Sequence, residues 1–454
     1  MKKRVWLIWA LLLLLVLTAC APKEEWAVTE GPTLNGRPIG NYTIVYPENA
    51  SDYCLRAAEY LQTQIAERTG YTLTLCTDTS GTYPFEILVG ETNRELSGKL
   101  TYARQTMEFA TLANKTHIAL EGDFFLIGAA AYYFVQTYIP GRSFDTAVPQ
   151  ELCINMPITE APTHYMLLIG DGMGEVHTQL LPLIDLKMQG LAEQVDGQFY
   201  GYYLPYTGYV STGSFTGITD SAASATALAT GYKTYNKYIG KDSDLNDRPS
   251  LTELANSLGM ATAVMSTEGI TGATPAAFSA HVEERSDRTA IAASQEAVQA
   301  EGTLLMGSLE NQEDIPNALR QALTQLDSCE KGFFLMYEEA YIDKYCSAED
   351  MNGVYFSMLR FQQAIGVFME YACYHPDTLV IITADHETGG LSIGAQGPEL
   401  STTGHTNTQV RLFAYGQGAE AFDNFNAHNI EIPKIIAGCW GVTDFGAPLP
   451  AQFQ

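Results

Sequence analysis

The stretch Tyr165-Met166-Leu167-Leu168-Ile169-Gly170-Asp171-Gly172-Met173-Gly174 decides the architecture. Six uncharged residues run into an acid and a glycine-rich turn, as a strand buried on both faces does when it leaves a sheet. Similar apolar runs occur at Ala261 to Met265, Phe333 to Tyr337, Leu379 to Thr383 and Val410 to Tyr415. Between them, Ser250 to Leu258, Asp287 to Ala300, Ile315 to Leu326 and Tyr355 to Tyr371 carry helical periodicity. Strands alternating with helices predict an α/β fold whose parallel-rich sheet is flanked by helices.

Three of these strands run into an acid. Asp171 follows the first, Glu338 follows Phe333 to Tyr337, and Asp385 with His386 follows the run from Leu379. Ligands gather at the carboxyl ends of strands in an open parallel sheet, so these acids are expected to converge on one cleft. Converging carboxylates repel one another, and an Asp-His pair among them suits zinc or magnesium. Each has a plainer account alone: Asp171 to Gly174 makes a serviceable turn, and His386 fits a core position. Repetition at equivalent strand ends is what favours a metal cleft.

Thr219-Asp220-Ser221-Ala222-Ala223-Ser224-Ala225-Thr226-Ala227-Leu228-Ala229-Thr230-Gly231 adds a hydroxyl where a loop becomes an Ala-rich helix. Small residues let such a helix pack closely, and its positive end favours an anion beside Ser221, the candidate nucleophile. An ordinary capped helix would look the same locally.

The 454 residues, 46% hydrophobic and 17% charged, are globular and long enough for two domains. Lys plus Arg number 25 against 52 Asp plus Glu, a formal charge of −27, which argues against a nucleic-acid partner. A phosphate site on so acidic a chain needs local cations.

Met1-Lys2-Lys3-Arg4 followed by an apolar run from Val5 to Val16 reads as a secretory signal. Leu17-Thr18-Ala19-Cys20 resembles the bacterial lipobox, which implies a lipidated Cys20 and an extracytoplasmic chain anchored to a bacterial membrane. A plain signal peptide or an uncleaved anchor is the alternative, against which four positions agree with the lipobox. Residues 1–20 are therefore set apart, residues 21–150 are expected to form a small α+β accessory domain with its linker, and residues 151–454 the catalytic domain. In the first of these, Tyr42 to Tyr46, Thr72 to Cys76 and Phe85 to Val89 read as strands, and Ser51 to Thr69 and Phe124 to Tyr138 as helices. A hairpin is expected about Asn114-Lys115, with His117 as a structural histidine. The order of these elements resembles accessory domains of secreted carbohydrate-active enzymes, which implies a glycan contact. The odd set Cys54, Cys76, Cys153, Cys329, Cys346, Cys373 and Cys439 excludes a fully paired framework, and Cys54 with Cys76 is the one candidate pair.

Six ordered blocks together resemble the motifs of alkaline phosphatases: Ile169 to Gly174; Thr219 to Gly231; Ala273 to Ala277 with His281 and Arg285; Glu338 with Ile342-Asp343; Thr383 to His386; and Gly404-His405-Thr406. The resemblance implies that Asp171 bridges a magnesium site and a zinc site, and that Ser221 is the nucleophile on the zinc held by Asp385 and His386. It further implies that Thr274 and Glu338 complete the magnesium site, that Asp343 and His405 hold a second, water-activating zinc, and that Arg285 clamps phosphate. The physical logic agrees, because a serine hydroxyl needs activation and two metals roughly 4 Å apart stabilise both the entering and leaving oxygens. A guanidinium matches phosphate bidentately. Arg285 also has Glu283, Glu284 and Asp287 nearby as ordinary ion-pair partners.

Three positions depart from the family. Ser347 stands where a histidine follows the zinc-binding aspartate, with Cys346, Glu349 or Asp350 close enough to substitute; Glu339 replaces a usual glycine; and Gly272 lies where some relatives carry Asp or His. The expected function is hydrolysis of phosphate monoesters through a phosphoserine at Ser221, with two zinc ions and magnesium, in a homodimer. The alternative is a catalytically weakened surface lipoprotein acting as a binding module. A phosphodiesterase or sulfatase would share the broader fold, but the cysteine-based sulfatase motif is absent. Beyond Ala419 no motif is legible, and His428 is expected at the surface.

Overall fold

The computed structural model describes residues 31–99, 107–156, 161–183, 198–312 and 314–454. The leader and Cys20 lie outside the described residues. No described helix is long and apolar enough to cross a membrane.

The first unit is a six-stranded sheet of β1 (Thr43–Tyr46), β2 (Thr74–Thr77), β3 (Glu86–Val89), β4 (Glu108–Ala113), β5 (His117–Glu121) and β6 (Glu151–Asn155), in the order β2-β1-β3-β5-β4-β6. Helix α1 (Asp52–Thr69) buries Cys54, Ala57, Ala58, Leu61 and Ile65, one face at helical spacing. Ser51 caps its start and left-handed Gly70 its end. The expected hairpin forms: β4 and β5 are antiparallel, and the Asn114 side chain accepts from the N–H groups of Thr116 and His117. His117 is structural, its ring 3.2 Å from Glu86. Strand β6 pairs with β4, so this sheet runs to Asn155, past the division expected at residue 150.

The Cys54–Cys76 pair does not form. All seven described cysteines are free, and the Cys54 thiol turns inward to donate to the Val89 carbonyl at 3.2 Å.

The second sheet has eight strands: β7 (His164–Gly170), β8 (Tyr206–Ser211), β9 (Ala261–Ser266), β10 (Leu304–Met306), β11 (Phe333–Glu339), β12 (Thr378–Thr383), β13 (Val410–Tyr415) and β14 (Phe425–His428). Their order is β10-β9-β11-β7-β12-β13-β8-β14. The five strands from β10 to β12 are parallel, whereas β13 runs antiparallel to both its neighbours. Register sets the site, since Ile169 of β7 faces Glu338 of β11 and Thr383 of β12. Asp171, Glu338 and Asp385 therefore leave the sheet at one level of its carboxyl rim.

Helix α2 (Leu126–Tyr138) packs on the first sheet, and α3 (Ser221–Thr230), α4 (Leu251–Leu258), α5 (Ala273–Ala277), α6 (Arg288–Ala300), α7 (Ile315–Leu326), α8 (Tyr341–Ser347), α9 (Met351–Tyr374) and α10 (Glu431–Cys439) accompany the second. The 24-residue α9 packs on α2, on α7 and on the second sheet, and the apolar core is continuous through both units. Its Glu370 receives Arg56 of α1 at 2.6 Å and Arg320 of α7 at 3.1 Å. His428 is half-buried on the last strand, its ring edge-on to Phe453, and not at the surface as expected.

Candidate active site

Ser221 is the first residue of α3, and Asp220 caps the helix by accepting from Ala223 N–H at 3.0 Å. Every residue of α3 is buried, which only a run of Ala, Ser and Thr permits so close to α5. One turn on, Ser224 Oγ donates to the Asp385 carbonyl at 2.5 Å, and Asn429 joins Ser224 to the buried Lys233. Helix α3 is thereby fixed to the loop after β12. Ser221 Oγ lies 3.2 Å from His386 Nε2.

The tautomer of His386 follows from its other contact. Thr388 Oγ1 donates to Asp343 Oδ1 at 2.6 Å and so accepts from His386 Nδ1–H at 3.2 Å. The Nε2 lone pair then faces Asp171 Oδ1 at 3.5 Å and Asp385 Oδ2 at 3.2 Å. Asp385 Oδ1 accepts from the N–H groups of Gly172 and His386, which aims the second oxygen inward. A side chain at Gly172, where φ is +80°, would strike the Asp343 backbone at 2.8 Å.

Asp171 Oδ1, Asp385 Oδ2, Glu338 Oε1 and Thr274 Oγ1 are all buried without a hydrogen-bond partner. Such atoms are rare and costly, and divalent cations would satisfy them. Burial, then the charges of Asp385, Asp343, Glu338 and Glu268, hold the Asp171 carboxyl well above its ordinary range. Burial and Glu268 do the same to Glu338, against the Ser266 hydroxyl that donates to it. This donor set fits two or more divalent ions.

Asp343, on α8, and His405 complete a second group. His405 Nδ1–H donates to the Thr219 carbonyl at 2.8 Å, and Nε2 faces Asp343 Oδ1 at 3.3 Å. Burial opposes protonation of His405, yet Asp343 and the Thr219 carbonyl raise it to about 9. Asp343 falls to about 2 despite its burial, because His405 and Thr388 donate to it. Ligand-type atoms of Asp343, His386 and His405 lie within 4.8 Å of one another, as do those of Asp171, Asp385 and His386. The shared imidazole makes the two groups neighbours.

The family model described as Alkaline phosphatase matches residues 164–316 and 311–399, which carry Ser221 and all these acids. The chain belongs to the alkaline phosphatase family. It is 30% identical over 291 residues to Alkaline phosphatase 3 of Bacillus subtilis, covering 51% of this chain and 62% of that one. It is 33% identical over 237 residues to Alkaline phosphatase 4 of the same organism, covering 40% and 51%. The chain thus spans about three fifths or less of the length of these curated relatives. The solved alkaline phosphatase from the Antarctic bacterium TAB5 superposes with a TM-score of 0.54 at 27% identity, over 62% of this chain and 98% of that one.

Against the alkaline phosphatase pattern, the residues after Asp343 supply no replacement for the expected histidine. Ser347 and Glu349 are exposed, and Asp350 is spent capping α9 through Gly353 N–H. Cys346 is buried elsewhere: His177 Nδ1 accepts from Gly174 N–H, which leaves Nε2–H to meet Cys346 Sγ at 3.2 Å. Burial pushes this thiol up. Glu339 is matched by Arg360 of α9, whose Nε donates to it at 2.6 Å. At Gly272 an added Cβ would fall 2.0 Å from the Glu268 carboxylate.

Glu268 therefore fills the space beside Gly272, and Lys344 Nζ pairs with it at 2.7 Å. Sequence reasoning missed both, and Thr388. The strand-end rule finds Glu268, two residues beyond β9. Arg285 pairs with Asp220 at 3.1 Å, and the neighbouring acids are engaged elsewhere, Glu284 with Lys237 and Asp287 as the cap of α6. His281 lies outside the site, between Glu253 and the Gly240 carbonyl.

Proposed function

We propose that the chain hydrolyses phosphate monoesters in two displacements at Ser221, with divalent cations held by the buried acids. The observation that carries this reading is Ser221 Oγ at 3.2 Å from His386 Nε2, beside carboxylate oxygens with no partner. Asp171, Asp385, His386 and Ser221 would hold one zinc, Asp343 and His405 the other, and Asp171, Thr274 and Glu338 magnesium. Bound there, such ions supply Lewis-acid charge that makes a hydroxyl and a water more nucleophilic and offsets phosphoryl charge.

The chain itself positions the reactants. The positive end of α3 and the Arg285 guanidinium face the phosphoryl group, and Asp220 holds both by capping the helix and pairing with Arg285. Ser221 Oγ forms a bond to phosphorus as the ester oxygen leaves with a proton. Water then adds to the same phosphorus, and Ser221 returns to the alcohol as phosphate departs. Ser221→Ala is expected to abolish turnover of a chromogenic monoester; unaltered turnover would overturn the reading.

The exposed Ser347 favours a second reading, a weakened phosphatase that binds phosphate and turns over little. Phosphate binding without turnover in metal-loaded protein would select it. The same proposal places the mature chain outside the cytoplasm on a lipidated Cys20, so Cys20→Ser should release it from the membrane fraction. A glycan contact by the first unit and a homodimer are tested by glycan binding and by sedimentation.

A further inference from the structure

We propose that His164, Asp327 and His375 form a separate binding site for a divalent ion of the zinc class, at the rim of the second sheet opposite Ser221. His164 opens β7, the strand that ends just before Asp171, so the two rims stand roughly 20 Å apart at the rise of a strand. Asp327 ends α7 and His375 ends α9. Two helix C-termini therefore point at the same spot, and their dipoles favour a cation there.

Asp327 Oδ1 lies 3.6 Å from His164 Nε2 and 3.8 Å from His375 Nδ1. Both are beyond hydrogen-bond range, yet all three ligand-type atoms sit within 4.8 Å of one another. Tetrahedral zinc with bonds of about 2.0–2.1 Å holds its ligands about 3.3 Å apart, so small side-chain shifts would close the set around an ion. His164 Nδ1 is buried without a hydrogen-bond partner, with Asp377 Oδ1 3.4 Å away. A small shift would let Nδ1–H reach Asp377 and give the carboxylate–histidine–metal order in which an outer acid fixes the ligating ring.

Tyr371 orients the other two ligands. Its hydroxyl donates to Asp327 Oδ1 at 2.7 Å, and its ring stacks on His375 at 3.9 Å between centroids, tilted by 4°. Two imidazoles of different elements, each with its own support, thus converge on one carboxylate. A plain His-Asp ion pair needs only one of them, at closer range. Asp327 and His375 also line a cavity of about 300 Å³ shared with Arg56 and Arg320, which leaves a coordination position for water or a small anion. The ion would join β7, α7 and α9, acting as a clasp remote from the chemistry.

The test is zinc content by mass spectrometry on the metal-loaded full chain. His375→Gln, at a half-exposed position, is expected to lose one ion per chain and the zinc-dependent part of its thermal stability, with turnover kept. Asp377→Asn should weaken binding at this site by roughly 10–100-fold. Asp385→Asn should lose an ion of the other rim and keep this one, which separates the two assignments. Equal zinc content and equal zinc-dependent stability in His375→Gln and the unaltered chain would overturn the proposal.

Discussion

The two halves of the active site are built to different standards. On the serine side, Asp171 is 5% exposed and Asp385 and His386 are fully buried, Asp385 fixed by the N–H groups of Gly172 and His386 and the His386 ring by Thr388. On the other side, Asp343 and His405 are 17% and 22% exposed, and α8 offers no third ligand. Buried carboxylates that give up their protons need a cation, whereas a half-buried Asp-His pair can satisfy itself as an ion pair. On the proposed function, the serine side would therefore depend on its ion more than the other side does.

The largest effect should come from the demanding side: Asp385→Asn is expected to lower turnover roughly a thousandfold or more and remove one ion, measured by steady-state assay and metal analysis. Next, Ser347→His puts an imidazole one turn from Asp343 on α8. It should tighten zinc and raise turnover by roughly tenfold, and no gain would break the comparison.

Smaller still is a control outside the site. His281, 2.9 Å from Glu253, is raised overall although burial alone would lower it, because Glu253 and the Gly240 carbonyl outweigh burial. Glu253 is lowered overall against its own burial. The Glu253 contribution is present above 4.5 and lost as pH falls; that of His281 is present below 6.5 and lost as pH rises through its raised value. Glu253→Gln should therefore cost about 1 kcal/mol by denaturant titration at about pH 6 and less at about pH 9. The smallest effect is Cys346→Ala, which should leave metal content unchanged, since its sulfur faces His177.

Legibility in the sequence followed the length and purity of the pattern. Strands β7, β11 and β12 are buried on both faces, and their boundaries in the structure lie within two residues of the apolar runs. Strands β8, β10 and β14 were not legible, because Tyr206–Ser211 mixes Thr and Ser with partly exposed aromatics, Leu304–Met306 has three residues, and Phe425–His428 buries only its first residue and carries Asn and His. The site was legible where an acid followed such a strand. Glu268 lies two residues beyond β9, where the same rule reaches it, but its role depends on the space left by Gly272, which only the three-dimensional structure records. The antiparallel turn of β13 was equally hidden, since an apolar run carries no direction.

Helix α9 has one more consequence. Since it lies against both units and its Glu370 is held by an arginine from each, neither half can melt and leave the other intact. Heating should give a single cooperative transition, and a chain trimmed to begin at residue 161 would be left with a raw oily face where α2 had been, prone to clumping.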